Sequence, residues 1–289
     1  MRYRRWVAHT RKLIAALSRR GPYRVLRGDL SFAGLPGVVY TPDKGLHLPG
    51  VAFGHDWLTG TARYAGLLEH LASWGIVVGA PDTQRGLIPS VLNLAFDLSS
   101  ALGIVTGVRL GPGNISVHPA KLGLVGHGFG GSAAVFAAAR LPGLAGLPVK
   151  CAVAIFPTVT GPTPEQLAAK CTVPGLILTA PSDPKTLNSN ALSLSHAWDS
   201  ATLRVVSKAK AGGLVEGRQL TKVIGLDGPH RATQKAVRSL LTGYLLYALG
   251  GNKDYRDFAD PDVHLRQTAP VNPKAPPVTL EQKIVALLK

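Results

Sequence analysis

The chain has 289 residues, 46% hydrophobic and only 6% aromatic, with a formal net charge of +16 and a pI near 10.2. That length and apolar content suffice for a large core, and α/β folds of this size commonly form one domain. No run approaches the roughly 20 apolar residues of a spanning helix, and two cysteines, Cys151 and Cys171, are too few for a disulfide framework or a self-contained zinc site, so no metal is expected.

The N-terminus carries Arg2, Arg4, Arg5, Arg11, Lys12, Arg19, Arg20, Arg24 and Arg27 with no acid before Asp29. Its apolar part, Leu13 to Leu17, is shorter than the core of a signal peptide and runs into Ser18-Arg19-Arg20 instead of a small-residue cleavage site. It therefore reads as retained and cytoplasmic. Trp6, Val7, Leu13, Ile14 and Leu17 fall at roughly helical spacing among the basic residues, which makes 1–20 a basic amphipathic helix. Two readings stand side by side. Residues 2–27 dock on anionic lipid at the inner face of a membrane, each basic residue contributing about 1 kcal/mol, or the helix packs on the domain body.

The main domain is expected over 21–260. Tyr23–Phe32 and Val38–Tyr40 read as paired antiparallel strands at a sheet edge. A βαβ rhythm follows, with strand Gly50–Phe53, helix Thr61–Trp74, strand Ile76–Gly79 and helix Pro89–Gly107. Such alternation implies a mostly parallel sheet with helices on both faces. Further strands are expected at Ala152–Phe156, Gly175–Thr179 and Thr202–Val206, with a short helix near Thr163 and another over Asn188–Trp198. Gly213–Gly225 reads as helix or strand, with helix favoured, and Thr233–Leu249 as a long amphipathic helix. Asp254–Pro277, rich in proline, reads as a linker or surface tail; within 261–289 a short terminal helix is expected at Thr279–Leu288.

The chain is organised around Lys121–Arg140, a buried strand, a glycine-crowded turn and a small-residue helix in succession. Gly126-His127-Gly128-Phe129-Gly130 has the frame of a nucleophile elbow, G-x-S-x-G, with Gly128 where the serine would stand. Gly126, Gly128 and Gly131 also satisfy the dinucleotide pattern G-x-G-x-x-G. That pattern belongs in a first βα unit with an acid about 20 residues later, and the next strand here ends Ile155-Phe156-Pro157. No cofactor is therefore expected. Ser132, Cys151 and Cys171 make poor substitute nucleophiles, since one lies a turn below the elbow and the others begin strands.

Together with Phe53-Gly54-His55-Asp56-Trp57, Leu71-Ala72-Ser73-Trp74-Gly75, Ala80-Pro81-Asp82 and the segment Tyr244-Leu245-Leu246 through Asp254-Tyr255-Arg256-Asp257-Phe258, this turn resembles the α/β-hydrolase superfamily, in particular its dienelactone-hydrolase and cutinase-like polyester-hydrolase group. The resemblance implies an α/β-hydrolase fold and, residue by residue, a site. The nucleophile position is Gly128, the triad acid is Asp183, and the oxyanion amides are those of Trp57 and Phe129, with His55 and His127 lining the pocket. The triad histidine falls at Ala211 if Thr202–Val206 is the eighth strand, or at His230 if Leu220–Gly225 is. Asp56 would oppose an oxyanion formed nearby, unless it turns outward to cap the helix near Thr61. An elbow that has lost its serine in this company implies a pseudo-hydrolase that binds or scaffolds, with a weak carboxylic-ester hydrolase as the alternative. The charge points to an anionic membrane surface, a protein partner remains open, and the sparse aromatics and missing motif argue against nucleic acid.

Overall fold

The computed structural model describes residues 2–139, 147–183, 188–217 and 228–269, with side chains from Thr10 onward. The segment 218–227, the expected terminal helix at 279–288 and Arg140 lie outside the described residues.

The strands are β1 (Val25–Asp29), β2 (Gly37–Pro42), β3 (Gly45–Gly54), β4 (Val77–Pro81), β5 (Ile115–His127), β6 (Cys151–Ile155), β7 (Gly175–Thr179), β8 (Ala201–Val206) and β9 (Thr268–Ala269). They form one nine-stranded sheet in the order β1-β2-β4-β3-β5-β6-β7-β8-β9. From β4 through β3 and β5 to β8 every pairing is parallel; β2 runs against both neighbours, and β9 runs against β8. The fold class is α/β.

Among the described residues seven α-helices connect and cover the sheet: α1 (Arg2–Leu17), α2 (Ala65–Ser73), α3 (Val91–Gly107), α4 (Phe129–Ala138), α5 (Glu165–Ala168), α6 (Ala191–Ala197) and α7 (Arg231–Ala248). Successive residues of a strand face opposite sides, and the two cores follow that alternation. Val51, Phe53, Val125, Val153 and Ile155 join α1, α2 and α7 on one face. Ala52, Leu124, Ala152 and Ala154 join α3 and α4 on the other. Near-continuous apolar runs are thus what a strand covered on both faces requires. The smaller residues face α4, which lies close to the sheet: a Cβ at Gly130 would strike the Gly54 backbone, and one at Gly126 the Gly130 backbone.

Two segments pack more tightly than their composition implies. In α1, Ile14 and Leu17 are buried against α7, and Thr10 Oγ1 donates to Asp257 Oδ2 at 2.9 Å. That half of the helix packs on the domain body, with Arg11 and Lys12 pointing outward. The described part of the stretch expected as linker or surface tail, up to Ala269, instead contributes a 3-10 segment, Lys253–Phe258, with Phe258, Val263 and Leu265 buried, and then the edge strand β9. Arg204 on β8 secures it from below. Its buried guanidinium donates to the carbonyls of Asp257, Asp260 and Val263.

Cys151 and Cys171 are both free and buried, and burial raises both thiols, that of Cys151 to about 12. Neither offers a thiolate near neutral pH.

Candidate functional site

Parallel strands place their C-terminal ends, and the loops that follow, along one edge of the sheet, which is where open α/β sheets build sites. At the middle of that edge β5 ends at His127, Gly128 makes the turn, and α4 begins at Phe129. Gly128 adopts φ 54° and ψ −118°, a conformation costly for any residue with a Cβ. The turn is pinned from below: Gly128 N donates to the Ile155 carbonyl at 2.9 Å, and its own carbonyl accepts from Gly131 N at 3.0 Å. A strand-to-helix elbow is therefore present, and glycine occupies its tip without strain.

The cradle above the tip is filled by the protein itself. Asp56, in the loop after β3, turns inward, and its Oδ1 accepts from the amides of both Trp57 at 2.8 Å and Phe129 at 2.9 Å. These are the two N–H groups that the resemblance assigns to an oxyanion. A Cβ built on Gly128 would run into Asp56 Oδ1 and Cγ, so carboxylate and nucleophile side chain cannot share the space. The outward reading of Asp56 fails for a simple reason. The amide of Thr61 is already capped by Asp82, whose Oδ1 accepts from it at 2.8 Å.

A buried network holds Asp56 in place. Its backbone N–H donates to Tyr64 Oη at 3.1 Å, and its carbonyl accepts from Thr59 Oγ1 at 2.6 Å. Tyr64 Oη lies 2.8 Å from His127 Nδ1, and His127 Nε2 lies 3.1 Å from the Ala211 carbonyl. A carbonyl only accepts, so Nε2 carries the hydrogen and Nδ1 takes the tyrosine hydroxyl's. Burial lowers the affinity of His127 for a second proton, against the opposing pull of Asp56. Burial likewise raises the Tyr64 phenol, reinforced by the Asp56 charge, so it stays protonated. Asp56 Oδ2 is 4.0 Å from His127 Nδ1, too long for a hydrogen bond. His55, also buried, sits with Nδ1 2.8 Å from the Asp56 carbonyl and Nε2 2.6 Å from that of Thr83. It braces the loops after β3 and β4 and has no nitrogen left for a substrate.

Asp183 follows β7 and is buried. Its Oδ2 accepts from Thr179 Oγ1 at 3.0 Å and Ala180 N at 2.7 Å, and desolvation raises its carboxyl above the usual value despite those bonds. His127 and Asp183 are close enough for each to act electrostatically on the other. The two histidine candidates separate. Ala211 opens a 3-10 turn after β8 and touches the elbow through its carbonyl. His230 instead precedes α7, where Thr233 Oγ1, which already accepts from Lys210 N, lies 2.8 Å from its Nδ1. Ser132 is buried beneath the elbow and donates to the Thr158 carbonyl at 2.8 Å.

Tyr64 and Thr59 are the site residues that sequence reasoning missed; a tyrosine at the mouth of an apolar helix was the available signal. Chemically, the described residues offer an anion cradle occupied by an internal carboxylate, no side chain at the elbow tip and, in His55 and His127, imidazoles whose ring nitrogens are already engaged. Among the described residues no cluster of His, Cys, Asp and Glu could hold a metal ion. No protein-family model matches the sequence, and a search of curated proteins returned no match.

Proposed function

We propose that this chain is a catalytically silent protein of the α/β-hydrolase type, which acts by binding at an anionic cytoplasmic surface and does not turn over esters. The observation that carries the proposal is the pair of hydrogen bonds from Trp57 N and Phe129 N to Asp56 Oδ1. Ester hydrolysis needs those donors for the tetrahedral oxyanion, and one such donor is worth about 10²–10³ in rate. A fixed carboxylate there both occupies the donors and repels the charge that must develop. Support for the hydrolase type comes from the antiparallel β2, the elbow directly after β5 and the buried acid after β7. The net charge of +16 supports an anionic partner. A weak esterase would require Asp56 to leave the cradle and a base that neither Ala211 nor His230 supplies.

The test is labelling by a fluorophosphonate probe together with turnover of short p-nitrophenyl esters. The native chain is expected to show neither above buffer background. Gly128→Ser alone should stay silent, because its Cβ meets Asp56, whereas Asp56→Gly, Gly128→Ser and Ala211→His combined should gain measurable turnover. Native turnover of about 10³ over water or more would overturn the proposal.

A further inference from the structure

Around the filled cradle, the same edge of the sheet exposes large apolar side chains that its own core does not use. Ile88 is 98% exposed and Leu87 77%, side by side after β4; Trp57 is 50% exposed and Leu58 49% after β3; Val159, after β6, is 51% exposed. Exposed apolar residues scattered singly are ordinary, but a contiguous group marks an interaction site.

Trp57 and the Leu87–Ile88 tip are held together and held out, with Val159 apart from them. Gln84 Oε1 accepts from Ser90 N at 2.9 Å, closing a loop whose tip is Gly86-Leu87-Ile88. Trp57 Nε1 donates to the Leu87 carbonyl at 3.2 Å, tying that loop to the one after β3. Thr158 N donates to the Gly128 carbonyl at 3.3 Å, which sets Val159 on the far side of the elbow. Leu58 and Gln84 both have positive φ, 54° and 55°, a strain for non-glycine residues that surrounding structure must impose. A leucine kept in strained backbone and still half in water is presented outward.

The charges along this edge decide the partner. Among the described residues of the loops after β3, β4, β6, β7 and β8 and at the start of α7, the exposed charges are Arg85, whose guanidinium also pairs with Asp82 at 3.2 Å, Lys208, Lys210 and Arg231. Among the described residues of those loops the acids Asp56, Asp82, Asp183 and Glu216 are buried or partly buried, and none is fully exposed. An apolar tip that protrudes almost free of its own chain, an interfacial tryptophan and exposed cations both in the tip's own loop and farther along the same edge, after β8, match the layered chemistry of an anionic bilayer: acyl chains, carbonyl zone and negatively charged headgroups.

We infer that the protein docks on anionic lipid with this edge of the sheet, inserting Leu87 and Ile88 and seating Trp57 at the interface, so that the closed elbow faces the membrane. The inference rests on the non-catalytic binding role proposed above and moves the contact away from the basic N-terminal helix, whose Ile14 and Leu17 are spent on the core.

The full chain is to be sedimented with phosphatidylcholine vesicles with and without phosphatidylserine, at rising salt. Retention is expected only with phosphatidylserine, weakening with salt, with a blue shift of tryptophan emission that Trp57→Phe removes. Leu87→Asp with Ile88→Asp should weaken partition at least about tenfold while unfolding at the native temperature, since neither side chain packs inside. A quadruple alanine variant at Arg11, Lys12, Arg19 and Arg20 should lose much less. The inference is overturned if the native chain ignores anionic vesicles, which would leave a protein partner for the rim, or if the quadruple variant loses binding while the Leu87/Ile88 variant keeps it. Either result leaves the ester assay untouched, and ester turnover would overturn the non-catalytic reading without altering partition.

Discussion

Asp56 and Arg204 are both charged side chains held by backbone groups, on unequal terms. Arg204 is buried at the β8 edge, where it gathers three carbonyls from the 253–269 segment. Asp56 gathers two amides at the elbow, and its side chain is 26% exposed. Removing the first strands carbonyls that are buried or partly buried in the fold. Removing the second opens a cradle that water can refill. The first charge is a component of the buried fold; the second closes a cradle at the protein's surface.

The largest expected effect follows from the first half of that contrast. Arg204→Ala leaves three carbonyls facing a void, and stranded buried polar groups cost about 1–3 kcal/mol each before relaxation. A loss of about 4 kcal/mol in unfolding free energy is expected from urea denaturation. A loss below about 1 kcal/mol would mean that the guanidinium is merely a solvated surface charge and the contrast is void.

Acid sharpens the comparison because it acts on the elbow's face of the sheet and leaves Arg204 alone. Burial lowers Arg204 only to about 10, so it keeps its charge throughout. His70 on α2 is lowered from 6.5 to about 4 by burial, with Arg238 adding repulsion, and His127 is lowered as well. The unfolded chain then binds these protons more readily than the folded one, so stability rises with pH across this window. It is complete above about 6.5 and lost as pH falls toward about 4. At about 1.4 kcal/mol per pH unit, His70 accounts for a loss of at most about 3.5 kcal/mol. Unfolding midpoints at pH near 7.5 and near 5 should differ in the native chain and differ less in His70→Gln; equal slopes in both would show that His70 is hydrated in solution.

Much of the elbow's half of the contrast is legible in the sequence, and little of the other half. Strand β7 matches its expected bounds, Gly175–Thr179, because five consecutive core residues between Pro174 and Ala180 leave no alternative. The turn at Gly128 is legible because three glycines in five residues serve only where backbones nearly touch. Two things were hidden. Prolines and charges in 254–277 outweigh Val263 and Leu265, and the partner that orders them is one arginine about 55 residues upstream, within a strand. The direction of Asp56 was undecidable along the chain as well. Whether it faces in or caps a helix depends on Asp82, which takes the Thr61 amide from another strand's end. Both concern long-range polar pairing, for which periodicity carries no signal.

The smallest expected effect is the most direct test of the filled cradle, and it takes three variants. Gly128→Ala must place a Cβ at φ 54° and against Asp56, which should cost about 2 kcal/mol. Asp56→Gly frees two amides that solvent can reach, for about 1 kcal/mol. If the carboxylate and the new methyl compete for one space, the double variant costs less than the sum, with a coupling of about 1 kcal/mol. Strict additivity would mean that Asp56 stands outside the cradle in solution. The elbow would then be open, lacking only side chains at Gly128 and Ala211, instead of closed by a carboxylate held in the place of a tetrahedral oxyanion.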